Sequence, residues 1–242
     1  MKRAISAAGV TVLAFVSFAA SQSLIITPKK VVYKRPTPLI GFKKTFEVTY
    51  PTVKAATPAL SKTIEKAINP LAVLRVNIKE ETTEYQWLER AGYDLGYIKN
   101  GILSVKLFMF GTAAYPDSSS KTVVIELKAG RQVRPAHSFK DIERLAALVK
   151  TMHAKEVEEA KLEIRKNPEM AESDLNQLFQ ETNFTVGNLS DFSISDEGVT
   201  FEFDYGFPHA IQALEPEGAF LVKWAELRPF IKPPGLLARF VR

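Results

Sequence analysis

The chain has 242 residues, of which 46% are hydrophobic and 24% charged, with no cysteine and a formal charge of +5. That length and balance suit one large folded domain or two small ones, and exclude a disordered or fibrous chain. The missing thiols exclude a disulfide scaffold, thiolate metal sites, cysteine catalysis and a lipoprotein anchor.

The first residues, "MKRAISAAGVTVLAFVSFAASQS", combine a basic start at Lys2 and Arg3 with an apolar run from Ala7 to Ala20 and small residues after it. This layout predicts a secretory signal peptide over residues 1–21, cleaved after Ala19 or Ser21. The alternative is an uncleaved anchor, the route by which this chain would be inserted in a membrane. The run is short for a bilayer span, and Ser17, Ser21, Gln22 and Ser23 dilute it. The expected location is outside the cytoplasm, periplasmic or extracellular, and an exported chain without cysteine fits a bacterial envelope. Nucleic acid is not an expected partner.

Residues 22–41 read as a basic, proline-containing arm. Lys29, Lys30, Lys34 and Arg35, followed by Lys43 and Lys44, have no acid among them. Such a stretch lies against an anionic cell-wall polymer or a membrane surface, or is simply solvated; with no aromatic ladder between the charges, the solvated arm is favoured.

Residues 42–242 read as a single α+β domain. "FKKTFEVTYP" alternates through Phe46, Val48 and Tyr50 and predicts a strand ended by Pro51. Thr57 and Pro58 open a helix as N-cap and first helical residue, and Asn69-Pro70 ends it. From Tyr93 to Val133 the pattern is a three-stranded antiparallel meander, with its first turn at Asn100-Gly101 and its second in "YPDSSS". Residues 138–179 are helical, broken at Asn167-Pro168, with a second short helix capped by Ser173. Leu145, Leu148, Val149 and Met152 mark the apolar face, and Val157, Ala160 and Ile164 resume it after a phase slip. Glu156 and the other acids and lysines of this helix are assigned to the opposite, solvated face. "FSIS", the turn "DEG" and "VTFEFDY" form a hairpin, "GAFLVKW" adds a strand and "AELRPFI" a closing helix. The resulting fold is an antiparallel sheet of meander and hairpin strands with helices packed on it.

No Gly-x-Ser-x-Gly elbow, phosphate loop, His-Glu-x-x-His or dinucleotide fingerprint is present, so no catalytic residue, metal site or cofactor is assigned. The three histidines are far apart in sequence: His137 precedes the helix start at Ser138, and His153 is expected to be solvated on the charged helix. The remaining candidate is the "YGFPHA" corner. Tyr205, Phe207 and His209 alternate with small residues and proline, and Trp224 follows in the next strand. Aromatic and imidazole groups at a strand end can make a binding surface. Alternatively, Pro208 ends the ladder and the rings cover the edge of the core.

Several segments resemble a known family. "TFEVTYP" before a helix ending in "AIN", "NGILSVKLFMFGTAAYP", "VVIELKAGRQV" with "SFKD", and "VTFEFDYGFPHA" leading to "FLVKWAELRPFI" recur in the order of the extracytoplasmic domain shared by RsiV-type anti-sigma factors and some peptidoglycan deacetylases. The resemblance implies a single exported α+β domain of unknown function, which in the anti-sigma factors binds lysozyme and in the deacetylases accompanies a separate catalytic domain. Pro208, His209 and Ala210 agree with that family's corner, whereas "GTAAYP" places Tyr115 where relatives carry an imidazole. The expected function is therefore a non-catalytic binding module for cell-wall glycan (peptidoglycan) or a lysozyme-like exported protein. The competing class is a cell-wall hydrolase or deacetylase accessory whose acid/base pair has no recognisable motif.

Overall fold

The computed structural model describes residues 24–112, 115–166, 172–180 and 182–241; the expected signal segment and the Asn167-Pro168 break lie outside them. The architecture is α+β, as the pattern predicts, with the strands divided between two sheets. The larger sheet has six strands in sequential order: β1 (Ile25–Lys34), β2 (Thr45–Lys54), β3 (Leu88–Lys99), β4 (Ile102–Thr112), β5 (Pro116–Glu126) and β6 (Arg131–Gln132). All neighbours run antiparallel except β2 and β3, which pair in parallel at Glu47–Arg90 and Val48–Ala91. The smaller sheet is an antiparallel meander of β7 (Phe192–Ile194), β8 (Gly198–Glu202) and β9 (Ala219–Lys223).

The stretch expected to be an arm holds the edge strand β1, paired along its length with β2. Lysine and proline make a poor central strand but a good edge, where they discourage pairing with other chains. Nor does β2 stop at Pro51. Its pairing with β3 covers only Glu47 and Val48, so Pro51 lies past that contact, facing Pro28, where a missing N–H is tolerated. The first meander turn is as predicted: Asn100 and Gly101 have φ of 53° and 69°, the left-handed pair of a tight hairpin. The second lies earlier than expected, because Pro116–Ser120 already belong to β5 and pair with Phe108–Thr112.

Helices cover the larger sheet unequally. Helix α1 (Pro58–Ala67) starts as predicted, with the Thr57 hydroxyl accepting the Leu60 N–H at 3.2 Å. Its Ile64, with Ile68 just beyond, packs on Leu103, Val105, Leu107, Val123 and Ile125. Short helices α2 (Pro70–Val73) and α3 (Ile78–Thr83) close the next patch over Phe46, Val48, Leu88 and Ala91. On the opposite face, Tyr97, Ile102 and Val124 meet the smaller sheet and the long helix α5 (Ile142–Ile164), which follows a single turn, α4 (Pro135–Ser138). Helix α6 (Glu172–Leu178) contains Ser173 rather than being capped by it, and α7 (Trp224–Leu227) follows β9 directly. Among the described residues no helix is long and apolar enough to cross a membrane.

Arg35 is 1% exposed and ties this frame together. Its guanidinium donates to the Glu81, Lys43 and Leu88 carbonyls at 3.0, 2.6 and 2.6 Å, with the Glu81 carboxylate 3.8 Å away. Burial lowers its pKa and Glu81 opposes that shift, so the carboxylate offsets part of the cost of burying a guanidinium that stays charged.

Candidate functional site

The six basic residues that the sequence groups together have separate fates. Arg35 is buried, Lys30 pairs with Glu47 at 3.1 Å, and Lys43 pairs with Glu89. Lys29 instead points along the face that carries Val31 and Tyr33, toward α1. There it lines an open groove of about 630 Å³ between the β1–β2 edge and that helix.

The groove is built from two periodicities. On β1 and β2, period-2 alternation places Lys29, Val31 and Tyr33 beside Tyr50, across the register Lys29–Tyr50 and Tyr33–Phe46. On α1, Lys62, Glu65 and Lys66 share one face at helical spacing and supply the opposite wall. The floor is aromatic: Tyr33 stacks on Phe46 with centroids 5.1 Å apart, and the Tyr33 and Tyr50 hydroxyls share a hydrogen bond of 2.7 Å. Burial, and then that hydrogen bond, pushes the Tyr50 hydroxyl well above its ordinary pKa, so it stays protonated. The single acid, Glu65, is occupied, its carboxylate accepting the Val53 N–H at 2.7 Å. Lys29, Lys62 and Lys66 are exposed and pair with no carboxylate among the described residues. Two half-buried phenols between three free ammonium groups can stack a sugar ring, hydrogen-bond its hydroxyls and neutralise an attached carboxylate.

The aromatic corner has a different character. Tyr205 and Phe207 are 7% and 6% exposed and belong to a cluster with Val157, Leu175 and Phe179. Phe207 meets the Phe179 ring edge-on at 5.2 Å. The Tyr205 hydroxyl donates to Glu156 at 2.7 Å, and burial followed by this contact raises its pKa strongly. Trp224 lies in the other cluster, stacked on Phe240 at 4.2 Å with its indole N–H donating to the Ser195 carbonyl. His209 opens a 3-10 turn, His209–Leu214. Tyr205 and Phe207 thus share one cluster, Trp224 belongs to another, and all three have their rings in the interior.

His153 is a correction. It is 4% exposed, not solvated, and stands among Phe184, Phe203, Tyr205 and Phe220, stacked on Tyr205 with centroids 5.3 Å apart. Val149, His153 and Val157 follow at intervals of four, so the apparent phase slip of α5 disappears once the imidazole counts as core. Its Nε2 has no hydrogen-bond partner among the described residues, and burial, then Lys150, lowers its pKa, keeping the ring neutral. Glu156 is also not on a solvated face: besides Tyr205 it accepts the Gly218 N–H at 3.3 Å.

At the seam between the sheets, Asp191 accepts the Thr122 N–H at 3.4 Å while Glu202 accepts the Thr122 hydroxyl at 3.1 Å. Burial and then Glu202 raise the Asp191 carboxyl above its ordinary value. Both acids are held by the strand that the second sheet packs on, so the pair fastens the seam. Among the described residues no group of three or more His, Asp or Glu side chains stands close enough to hold a metal ion.

Sequence reasoning missed Tyr33, Tyr50, Lys62 and Lys66. The available signal was the alternation of Lys29, Val31 and Tyr33, the mark of a half-buried strand in a stretch too rich in proline and lysine to suggest one.

No protein-family model and no curated protein matches the sequence. Among solved structures, the chain is similar to a DUF3298-family protein from Bacteroides fragilis, with 9% identity and a TM-score of 0.56, over 91% of this chain and 97% of that one. It is also similar to a DUF3298-family protein from Pseudomonas aeruginosa, with 12% identity and a TM-score of 0.49, over 89% and 96% of the two chains. The first likeness shows a shared fold: this chain is built like a DUF3298 domain, a domain of unknown function.

Proposed function

We propose that this protein is an exported, non-catalytic binding module of the bacterial cell envelope, and that the β1–β2/α1 groove holds an acidic cell-wall glycan. The observation that carries the reading is the convergence of Lys29, Lys62 and Lys66 on the Tyr33–Tyr50 pair in one open groove. Exposed ammonium groups attract an anionic polymer over a Debye length, about 8 Å at physiological salt. Sugar rings stacking on the phenol faces supply the contact that salt does not screen. The export pattern at the N-terminus and the resemblance to the RsiV-type extracytoplasmic domain support the location.

The test is co-sedimentation of the chain from residue 22 onward with insoluble peptidoglycan at low and high salt, beside a column of immobilised lysozyme. Retention on peptidoglycan that weakens with salt but persists is the expected result. Retention on lysozyme alone would replace the glycan with a protein ligand. Release of soluble fragments from the peptidoglycan would replace binding with catalysis.

A further inference from the structure

A second cavity, of about 460 Å³, shares no lining residue with the groove. One wall is β6 and α4 and the other is the turn Pro234–Leu236. The segment 128–140 that forms the first wall reads "KAGRQVRPAHSFK", with Lys128, Arg131, Arg134, His137 and Lys140 and no acid. Of these, Arg131, Arg134 and His137 line the cavity, beside one carboxylate, that of Glu126. Arg131 donates through Nε to the Glu126 carboxylate at 2.8 Å, which fixes its plane and leaves its outer N–H groups unspent. Arg134 and His137 are exposed, and Arg134 pairs with no carboxylate among the described residues.

The walls are held in place by backbone. Phe139 bridges Ile231 antiparallel, the Lys140 N–H donates to the Phe230 carbonyl at 2.7 Å, and the Lys232 N–H donates to the Ser138 carbonyl at 3.0 Å. The Lys232 ammonium caps the α4 turn on the Ala136 carbonyl at 2.6 Å, and the Val133 N–H anchors the other end of the segment on Val124. The backbone beneath the cations is therefore fixed, and binding a ligand has only side chains to order.

We propose that this cavity binds a phosphate group, held by Arg131 and Arg134 with the His137 ring as a further donor. Two guanidinium forks and an imidazole offer more donors than one carboxylate can accept, whereas the oxygens of a tetrahedral phosphate can engage both forks. The cavity is larger than a bare anion, so the phosphate is part of a larger molecule, either a soluble phosphomonoester or a phosphodiester unit of an envelope polymer. The site stands apart from the glycan groove and binds phosphate independently of it; only the polymer source rests on the proposed envelope location.

The experiment is a titration of the chain from residue 22 onward with glycerol 3-phosphate as the monoester probe and glycerophosphoglycerol as the diester probe, at constant ionic strength, followed by the His137 ring signals. Saturable binding of either probe is expected, the identity of the tighter one naming the source. Arg134→Gln should weaken it at least tenfold at unchanged thermal stability, and Lys62→Glu with Lys66→Glu should leave it unaltered. Saturation by neither probe, or equal affinity in Arg134→Gln, overturns the proposal.

Discussion

The β1–β2/α1 region and the α5/β7–β9 region sort their residues in opposite ways. In the first, aliphatic side chains from the sheet and Ile64 fill the interior, and the aromatic Tyr33 and Tyr50 are left at the surface beside free lysines. In the second, rings are the interior: Phe184, Phe203, Tyr205 and Phe220 surround an imidazole, and Phe179 and Phe207 extend the cluster. An aromatic residue near a strand end is therefore a poor marker of a site in this molecule. What separates the two regions is whether the rings are enclosed by other rings or lie half-open beside unpaired charges. The comparison implies that changes to the exposed residues of the groove alter binding with little cost in stability, whereas changes to the buried residues of either region do the reverse.

The largest expected effect lies in the frame under the groove. Arg35→Met leaves Glu81 and three carbonyls without their buried cation and should lower unfolding free energy by about 3–5 kcal/mol in urea denaturation. A cost below about 1 kcal/mol would mean that the guanidinium is no anchor. Next, Phe207→Ala should cost about 3 kcal/mol by opening a cavity beside Phe179, with peptidoglycan retention unchanged at temperatures where the variant is folded. Lost retention in a folded Phe207→Ala protein would return the aromatic corner to the binding surface. Tyr205→Phe keeps the ring and removes the bond to Glu156, so it should cost about 1–2 kcal/mol and again spare binding.

The smallest effect is a slope with pH. The His153 pKa in the folded state lies below its ordinary value of 6.5, so the unfolded chain binds the extra proton. This contribution to stability is complete above the ordinary value and is lost as pH falls below it. His153→Phe, which keeps an aromatic ring among its neighbours, should flatten the fall in urea midpoint between pH 7 and pH 5. Asp191 works the other way. Its folded pKa is raised above 3.8, so protonation on acidification adds stability, and Asp191→Asn should remove that opposing slope. An unchanged pH profile in His153→Phe would show that the imidazole does not titrate with folding.

The fold was legible wherever local chemistry dictates the backbone. Thr57-Pro58 starts α1, Asn100-Gly101 turns the first hairpin, and the alternation through Phe201 gives β8. Less legible were places where a distant element decides. Pro51 reads as a terminator, but β2 continues because β3 has already diverged from it. His153 reads as polar, but α5 presents it to rings that lie 31 to 67 residues further along the chain. The groove could not be read at all from one segment, since Lys29 and Tyr33 meet Lys62 and Lys66 only after β1 has paired with β2 and α1 has docked. Charge runs and aromatic runs are local facts, whereas a site here is a meeting of residues from several elements.

The most direct test of the account is peptidoglycan binding by the Lys62→Glu, Lys66→Glu double variant beside the wild-type chain. Both lysines are exposed and pair with no carboxylate among the described residues, so stability should change by less than about 0.5 kcal/mol per site. Retention on peptidoglycan should fall at least tenfold at low salt, with the two proteins converging as salt screens the groove. Equal retention of both proteins at low salt would contradict the claim that this groove is where the ligand sits.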